Sequence, residues 1–115
     1  MPIFNVFTNL SKDKIPDFFL LDASKFIACL LGKPETYVTV RVVPDQMMSH
    51  GGSTEPCASV QLMSIGNLGD QNKCHSENIG SFLKEQLGIP NDRYYIIFTD
   101  VARNDCGYSG KTFAT

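Results

Sequence analysis

A proline stands directly behind the initiator methionine, so removal of Met1 would leave Pro2 as a secondary amine at the chain terminus. A free α-amino group has a reference pKa of about 7.7 to 8.0, and an apolar site with a neighbouring cation lowers it, leaving an unprotonated base near neutral pH. A Met-Pro opening also arises for processing reasons alone, so the base needs a partner before it counts as chemistry. The sequence offers one at Lys33. Leu31-Gly32-Lys33-Pro34 leads into one apolar strand, and Leu87-Gly88-Ile89-Pro90 leads into another. The two segments agree at Leu, Gly and Pro and differ where the first carries a cation, which is the departure expected of a site. The same lysine would also suit a helix C-terminus, where a cation is favourable by about 0.3 to 1 kcal/mol. If the start of the first strand and the end of the first helix lie near one sheet edge, Pro2 as base and Lys33 as carboxylate anchor form a pair.

The elements that must hold this pair are legible from periodicity. Ile3 to Asn9 reads as a strand. Between Asp17 and Leu31 the residues Phe19, Ala23, Phe26, Ile27 and Leu30 recur at three- and four-residue steps, an amphipathic helix that Gly32 caps and Pro34 stops. Tyr37 to Val43 is a strand with Val38, Val40 and Val42 on one face. A turn-rich loop follows, Pro44 to Pro56, with Met47-Met48 as a brief edge strand. Cys57 to Ser64 alternates as a third strand. A second helix spans about Gln71 to Leu87 with Ile79, Phe82, Leu83 and Leu87 inward, and Tyr94 to Thr99 is the last long strand. Two copies of strand, helix, Gly-x-Pro turn and strand, about residues 1–56 and 57–115, predict one domain of α/β (α+β) class. It is a tandem β-α-β repeat forming a four-stranded mixed sheet with both helices on one face. The other face then lacks a cover, and oligomerisation is the expected remedy.

Composition narrows the partners. Ten basic against 12 acidic residues give a formal net charge of -2, with no basic field for nucleic acid or acidic membranes. RNA-recognition modules share the strand-helix order, but the middle strand Cys57 to Ser64 carries no aromatic on which a base could stack. No stretch approaches a membrane span and the N-terminus has no signal-peptide pattern, so synthesis in the cytosol is expected. Cys29, Cys57, Cys74 and Cys106 are too irregular for a disulfide framework and read as free thiols. Cys74-His75 has no further ligand at zinc spacing, so no metal site is expected, and no cofactor is expected either. His50, in a polar loop, reads as solvated rather than catalytic.

The segments MPIFNVFTN, LGKPETYVTVRVVPDQ, GGSTEPC, SIG at Ser64 to Gly66 and the terminal TFA, in this order and spacing, resemble the macrophage migration inhibitory factor family over nearly the whole chain. The resemblance implies a homotrimer with pockets at subunit boundaries. It also implies tautomerase activity on aryl keto and enol acids and dopachrome, and cytokine signalling through the class II invariant chain and chemokine receptors after export without a signal peptide. Carried over residue by residue, it makes Pro2 the base and Lys33 the carboxylate anchor, with a hydrogen bond from the Ile65 backbone. Tyr37 would stand at the rim, Phe113 would wall the pocket, and Tyr95 of a neighbouring subunit would cap it.

The chain departs from the family pattern at Ile97, Cys106 and Tyr108, three positions that the resemblance places at the pocket. Ile97 removes a polar contact to an aryl hydroxyl, or simply serves strand packing. Val60 replaces the second cysteine of a family Cys-x-x-Cys beginning at Cys57, so the resolving partner of a dithiol cycle is missing. For receptor contact the chain offers Lys12 and Asp45, where lysine keeps the charge but loses the arginine fork. A signalling protein with a vestigial pocket and no turnover is the alternative reading.

Overall fold

In the computed structural model, which describes residues 1–115, the alternation along each apolar run becomes a mixed sheet. Strand β1 (Pro2–Thr8) lies beside β2 (Thr39–Val43) in parallel and beside β3 (Ala58–Ser64) in antiparallel, and β3 pairs in parallel with β4 (Tyr94–Asp100). The order is β2-β1-β3-β4, and helices α1 (Phe19–Leu31) and α2 (Asn72–Leu87) make the two crossovers. This is the tandem β-α-β arrangement that the repeat predicts.

Register decides which residues meet the helices. Val40, Phe4, Leu62 and Phe98 form one row across the sheet, and Val42, Val6, Val60 and Ile96 form the next. Because side chains alternate along a strand, these rows share a face. They pack under Phe19, Ala23, Ile27 and Leu31 of α1 and Ile79, Leu83 and Leu87 of α2. Phe26 and Phe82 stack between the helices with centroids 4.4 Å apart and planes at 8°, a contact that contributes about 0.5–1.5 kcal/mol beyond its area.

The opposite face carries Ile3, Asn5 and Phe7, then Gln61 and Met63, then Tyr95 and Ile97, and no helix lies over it. Asn5 donates from Nδ2 to Gln61 Oε1 at 3.1 Å, and the Arg41 guanidinium sits 5.3 Å from the Phe7 ring centre. Tyr95 and Ile97 are 73% and 60% exposed, a burden of apolar edge and face that a lone sheet of this size seldom leaves to solvent.

Two local expectations need correction. Strand β2 starts two residues later than Tyr37, because Tyr37 and Val38 donate to the Pro34 and Glu35 carbonyls and wind Glu35–Tyr37 into a 3-10 turn. Met47 and Met48 form no strand: Asp45 is left-handed (φ 61°), Gln46 N–H bonds back to the Thr8 carbonyl at 3.0 Å, and the chain leaves the sheet with Met47 fully exposed. The turn-rich C-terminus contains a hairpin, β5 (Gly107–Tyr108) with β6 (Lys111–Thr112), turning on Ser109 and Gly110. Both turn residues have positive φ, 55° and 79°, the conformation that two-residue hairpin turns require. No helix is long and apolar enough to cross a membrane.

Candidate active site

The two Gly-x-Pro turns share a backbone and deliver different side chains. Gly32 is left-handed (φ 63°, ψ 38°), so the Lys33 amide returns to the Ala28 carbonyl at 3.0 Å and closes the end of α1. From there the Lys33 ammonium reaches β3's end and donates to the Ile65 carbonyl at 2.7 Å. Asn67 ties the same segment back to α1 by donating to the Leu31 carbonyl at 2.6 Å. In the second turn Gly88 is also left-handed (φ 69°), but the residue after it, Ile89, is fully buried in the core. One copy of the repeat delivers a cation to the N-terminal sheet edge, and the other delivers a core anchor.

Pro2 opens β1 opposite Ser64 and is fully buried. The Met1 α-amine lies beside Lys33: burial lowers its pKa from the ordinary 8.0, the Lys33 charge lowers it further, and Cys106 opposes both. These are the two causes, desolvation and a nearby cation, that favour a neutral amine. Met1 and Ile3 form one wall of a cleft of about 210 Å³. Tyr37 stands opposite, and Cys106, Tyr108 and Phe113 of the C-terminal segment close the mouth. The three aromatic rings pack on one another, with Tyr37 5.4 Å from Tyr108 and 5.8 Å from Phe113, and Tyr108 5.7 Å from Phe113. The Phe113 amide donates to the Cys106 carbonyl at 3.2 Å and holds the tail in place.

The structure therefore gathers Pro2, Lys33, Ile65, Tyr37, Cys106, Tyr108 and Phe113 at one end of the sheet. It does not bring Tyr95 and Ile97 there within one chain. Tyr95 pairs with Ser59, five residues along β3 from the partner of Pro2, which puts it about 17 Å away along the strand direction alone. The cleft is also smaller than the roughly 300–1,000 Å³ of ligand pockets, and Met1 occupies part of its wall. Thr36 and Thr39 line it as well. Neither stood out in the sequence, where they are ordinary polar residues of a turn and a strand.

The remaining candidates lie elsewhere. Lys12 and Asp45 are both exposed, and the Asp45 amide donates to the Leu10 carbonyl at 2.8 Å, so their segments run side by side. His50 is half-buried rather than solvated, its ring 5.3 Å from that of Tyr95. His75 is buried in α2 and hydrogen-bonded through Nε2 to the Asn67 carbonyl at 2.7 Å. Cys57 is buried but stands one residue before β3 rather than in it, because its amide donates to the Asn9 side chain and its carbonyl accepts from the Thr8 hydroxyl. A larger hollow of about 760 Å³ lies between α2 and β4, away from the N-terminus.

Comparison with known proteins agrees with this geometry. The family model of macrophage migration inhibitory factor matches residues 1–114. Macrophage migration inhibitory factor of Xenopus tropicalis is 45% identical over 115 residues, covering 99% of this chain and all of that one. A homolog from Trichuris trichiura is 43% identical over 114 residues, 98% of this chain and all of that one. Among solved structures, the factor from Trichinella spiralis superposes with a TM-score of 0.94 at 40% identity, covering 96% of this chain and 99% of its own. The homologue from Prochlorococcus marinus gives 0.86 at 35% identity, covering 96% and 98%.

Proposed function

The chain belongs to the macrophage migration inhibitory factor family, and from that premise we propose that it is a cofactor-independent keto-enol tautomerase of arylpyruvates and dopachrome. The Pro2 nitrogen, freed by loss of Met1, is the base. The observation that carries this reading is the Met1 amine, one residue from the Pro2 nitrogen, whose pKa burial and Lys33 both lower at an aromatic-walled cleft.

The reaction moves a proton between carbon and oxygen. The neutral amine takes a proton from the carbon beside the keto group, the electron pair moves toward the carbonyl oxygen, and that oxygen is protonated to give the enol. One group that accepts and returns a proton serves both directions, best with a pKa near the working pH. Lys33 spends one of three N–H donors on Ile65, which leaves two for a substrate carboxylate. Tyr37, Tyr108 and Phe113 supply faces for the aryl ring. Ile97, which like Tyr95 can reach the ring only from a neighbouring subunit, would offer packing without a hydrogen-bond partner for an aryl hydroxyl.

The position of Tyr95 and the undersized cleft support a homotrimer in which a neighbouring subunit completes each site, the bare sheet face being covered in the assembly. Cytokine activity belongs to the same proposal: Lys12 and Asp45, exposed on neighbouring segments, offer a cation and an anion to the class II invariant chain or chemokine receptors, after release from the cytosol without a signal peptide.

The direct test is turnover of phenylpyruvate and a dopachrome ester by protein whose intact mass shows Met1 gone. Lys33→Ala should then raise KM for the carboxylate substrate at least ten-fold, as loss of a charge-assisted contact of about 1.5–3 kcal/mol requires. It should also move the acidic limb of the kcat/KM profile to higher pH. The sign follows from the field: Lys33 lowers the pKa of the Met1 amine one residue away, and a cation acts in the same direction on a Pro2 amine, so without it the base stays protonated to higher pH. An unshifted limb would separate Lys33 from the base.

A further inference from the structure

The hollow of about 760 Å³ between α2 and β4 is unused by the chemistry above. Its one wall is a face of α2 presenting Ser76, Glu77, Ser81 and Lys84, and its other wall is the start of β4 with Tyr94 to Ile96. Tyr94 lines it too, with its hydroxyl tucked against Gly80 of the α2 wall. Tyr94 is only 7% exposed, and its oxygen is buried with no hydrogen-bond partner. A buried polar atom left unpaired costs about 1–3 kcal/mol, so native structures seldom leave one idle.

The residue above the hydroxyl shows that room is kept for it. A Cβ on Gly80 would come within 3.1 Å of the Tyr94 oxygen, and glycine within a helix costs roughly 0.5–1 kcal/mol relative to alanine. Gly80 and Tyr94 thus act as a pair, one opening the helix wall and the other filling the opening with a phenol. Burial raises the phenol's pKa above its usual 10.0, so the group stays protonated at neutral pH and is available as a donor.

From this geometry we infer that the α2–β4 groove is a second ligand site, taking a small organic acid whose carboxylate accepts from the Tyr94 hydroxyl while its apolar body rests on Pro90 and Ile96. Lys84 on the wall favours an anion. Glu77 lies seven residues away on the same helix, about 10 Å along the axis, and leaves the Lys84 end of the groove cationic. The groove is on the helix-bearing side of the sheet, and of its lining only Tyr95 turns to the bare face. Occupation therefore does not compete with the assembly that would cover that face, and the inference stands or falls independently of the Pro2 chemistry.

The test uses benzoate as probe, with benzyl alcohol as its uncharged counterpart, titrated into the full-length protein at millimolar concentration while amide resonances are followed by NMR. Benzoate should shift Gly80, Ser81 and Asn91, and benzyl alcohol should shift them less. Tyr94→Phe, which keeps the ring and removes only the unpaired hydroxyl, should fold normally and weaken benzoate at these amides about ten-fold, the upper range for a single hydrogen bond. Gly80→Ala should weaken it too by crowding the hydroxyl. Shifts confined to Thr36, Gly107 and Tyr108 would mean that benzoate binds the N-terminal cleft alone and would overturn the inference. Equal affinity in Tyr94→Phe, or no shift at Gly80, would do the same.

Discussion

Pro2→Gly should reduce tautomerase turnover by a factor of roughly 10² to 10⁴, the usual contribution of a positioned general base, with KM for phenylpyruvate changed far less. Proline's nitrogen is held at a fixed φ by its ring, and here the ring is buried against the start of β1. Glycine keeps a terminal amine but frees it to rotate and removes the ring that shields it from water. Both changes spoil a base placed one residue from the Met1 amine, whose pKa is lowered by burial first and by Lys33 next. Loss of the ring also removes packing, so thermal midpoint and sedimentation must be measured on the same sample. A trimer that persists with turnover lost assigns the loss to the base. A chain retaining Met1 has an amide at Pro2 and should be as inactive as the mutant, and full rates from such a chain would refute the mechanism.

That prediction depends on features of unequal legibility. The sheet and its two helices were readable because the two strands Tyr37–Val43 and Cys57–Ser64 alternate, the first and last strands are apolar runs, and each helix repeats at 3.6 residues. The alternation marks Val40, Val42, Val60 and Leu62 of the core rows, while Phe4, Val6, Ile96 and Phe98 are assigned to them by register. Lys33 was readable because an internal repeat supplies its own control: Ile89 shows what the position holds when only packing matters. Other features are set by contacts that periodicity does not encode. Asp45 takes a positive φ in a segment readable as a loop, but the path of that loop away from the sheet, which leaves Met47 exposed, is not. Ser109-Gly110 is a recognisable hairpin turn, but the flanking strands are two residues each and too short to alternate. The polar residues Thr36 and Thr39 enter the cleft only because the Glu35–Tyr37 turn aims them there. The resemblance, not the residue pattern, was what singled out Tyr95, Cys106, Tyr108 and Phe113. The separation of Tyr95 from the Pro2 end depends on strand register, which no single stretch of sequence states.

Arg93 is the plainest case of such a hidden contact, and Arg93→Ala should destabilise the protein by about 2–4 kcal/mol in urea denaturation. Its guanidinium donates to four backbone carbonyls of the loop after β2: His50 at 2.9 Å, Ser53 at 3.1 Å, Glu55 at 2.9 Å and Pro56 at 3.1 Å. Its own carbonyl accepts from the Ala58 amide at 3.1 Å, so the residue closes the loop at the point where β3 begins. Hydrogen bonds to a charged donor contribute about 1.5–3 kcal/mol each when shielded. Several of these are exposed and water can replace them, so the sum is well below four times that figure. Arg93→Lys should recover less than half of the loss, because an ammonium presents its donors from one point and cannot span carbonyls that the planar fork reaches together. The consequence extends beyond stability. The same loop sets His50 against Tyr95, and Tyr95 is the residue expected to complete a neighbour's site. Arg93→Ala should therefore weaken trimer association in sedimentation and lower kcat/KM in proportion to the trimer lost, with the remaining trimer turning over normally. Unchanged stability, within about 0.5 kcal/mol of the parent as for an ordinary surface substitution, would show that the loop holds its shape without the clamp.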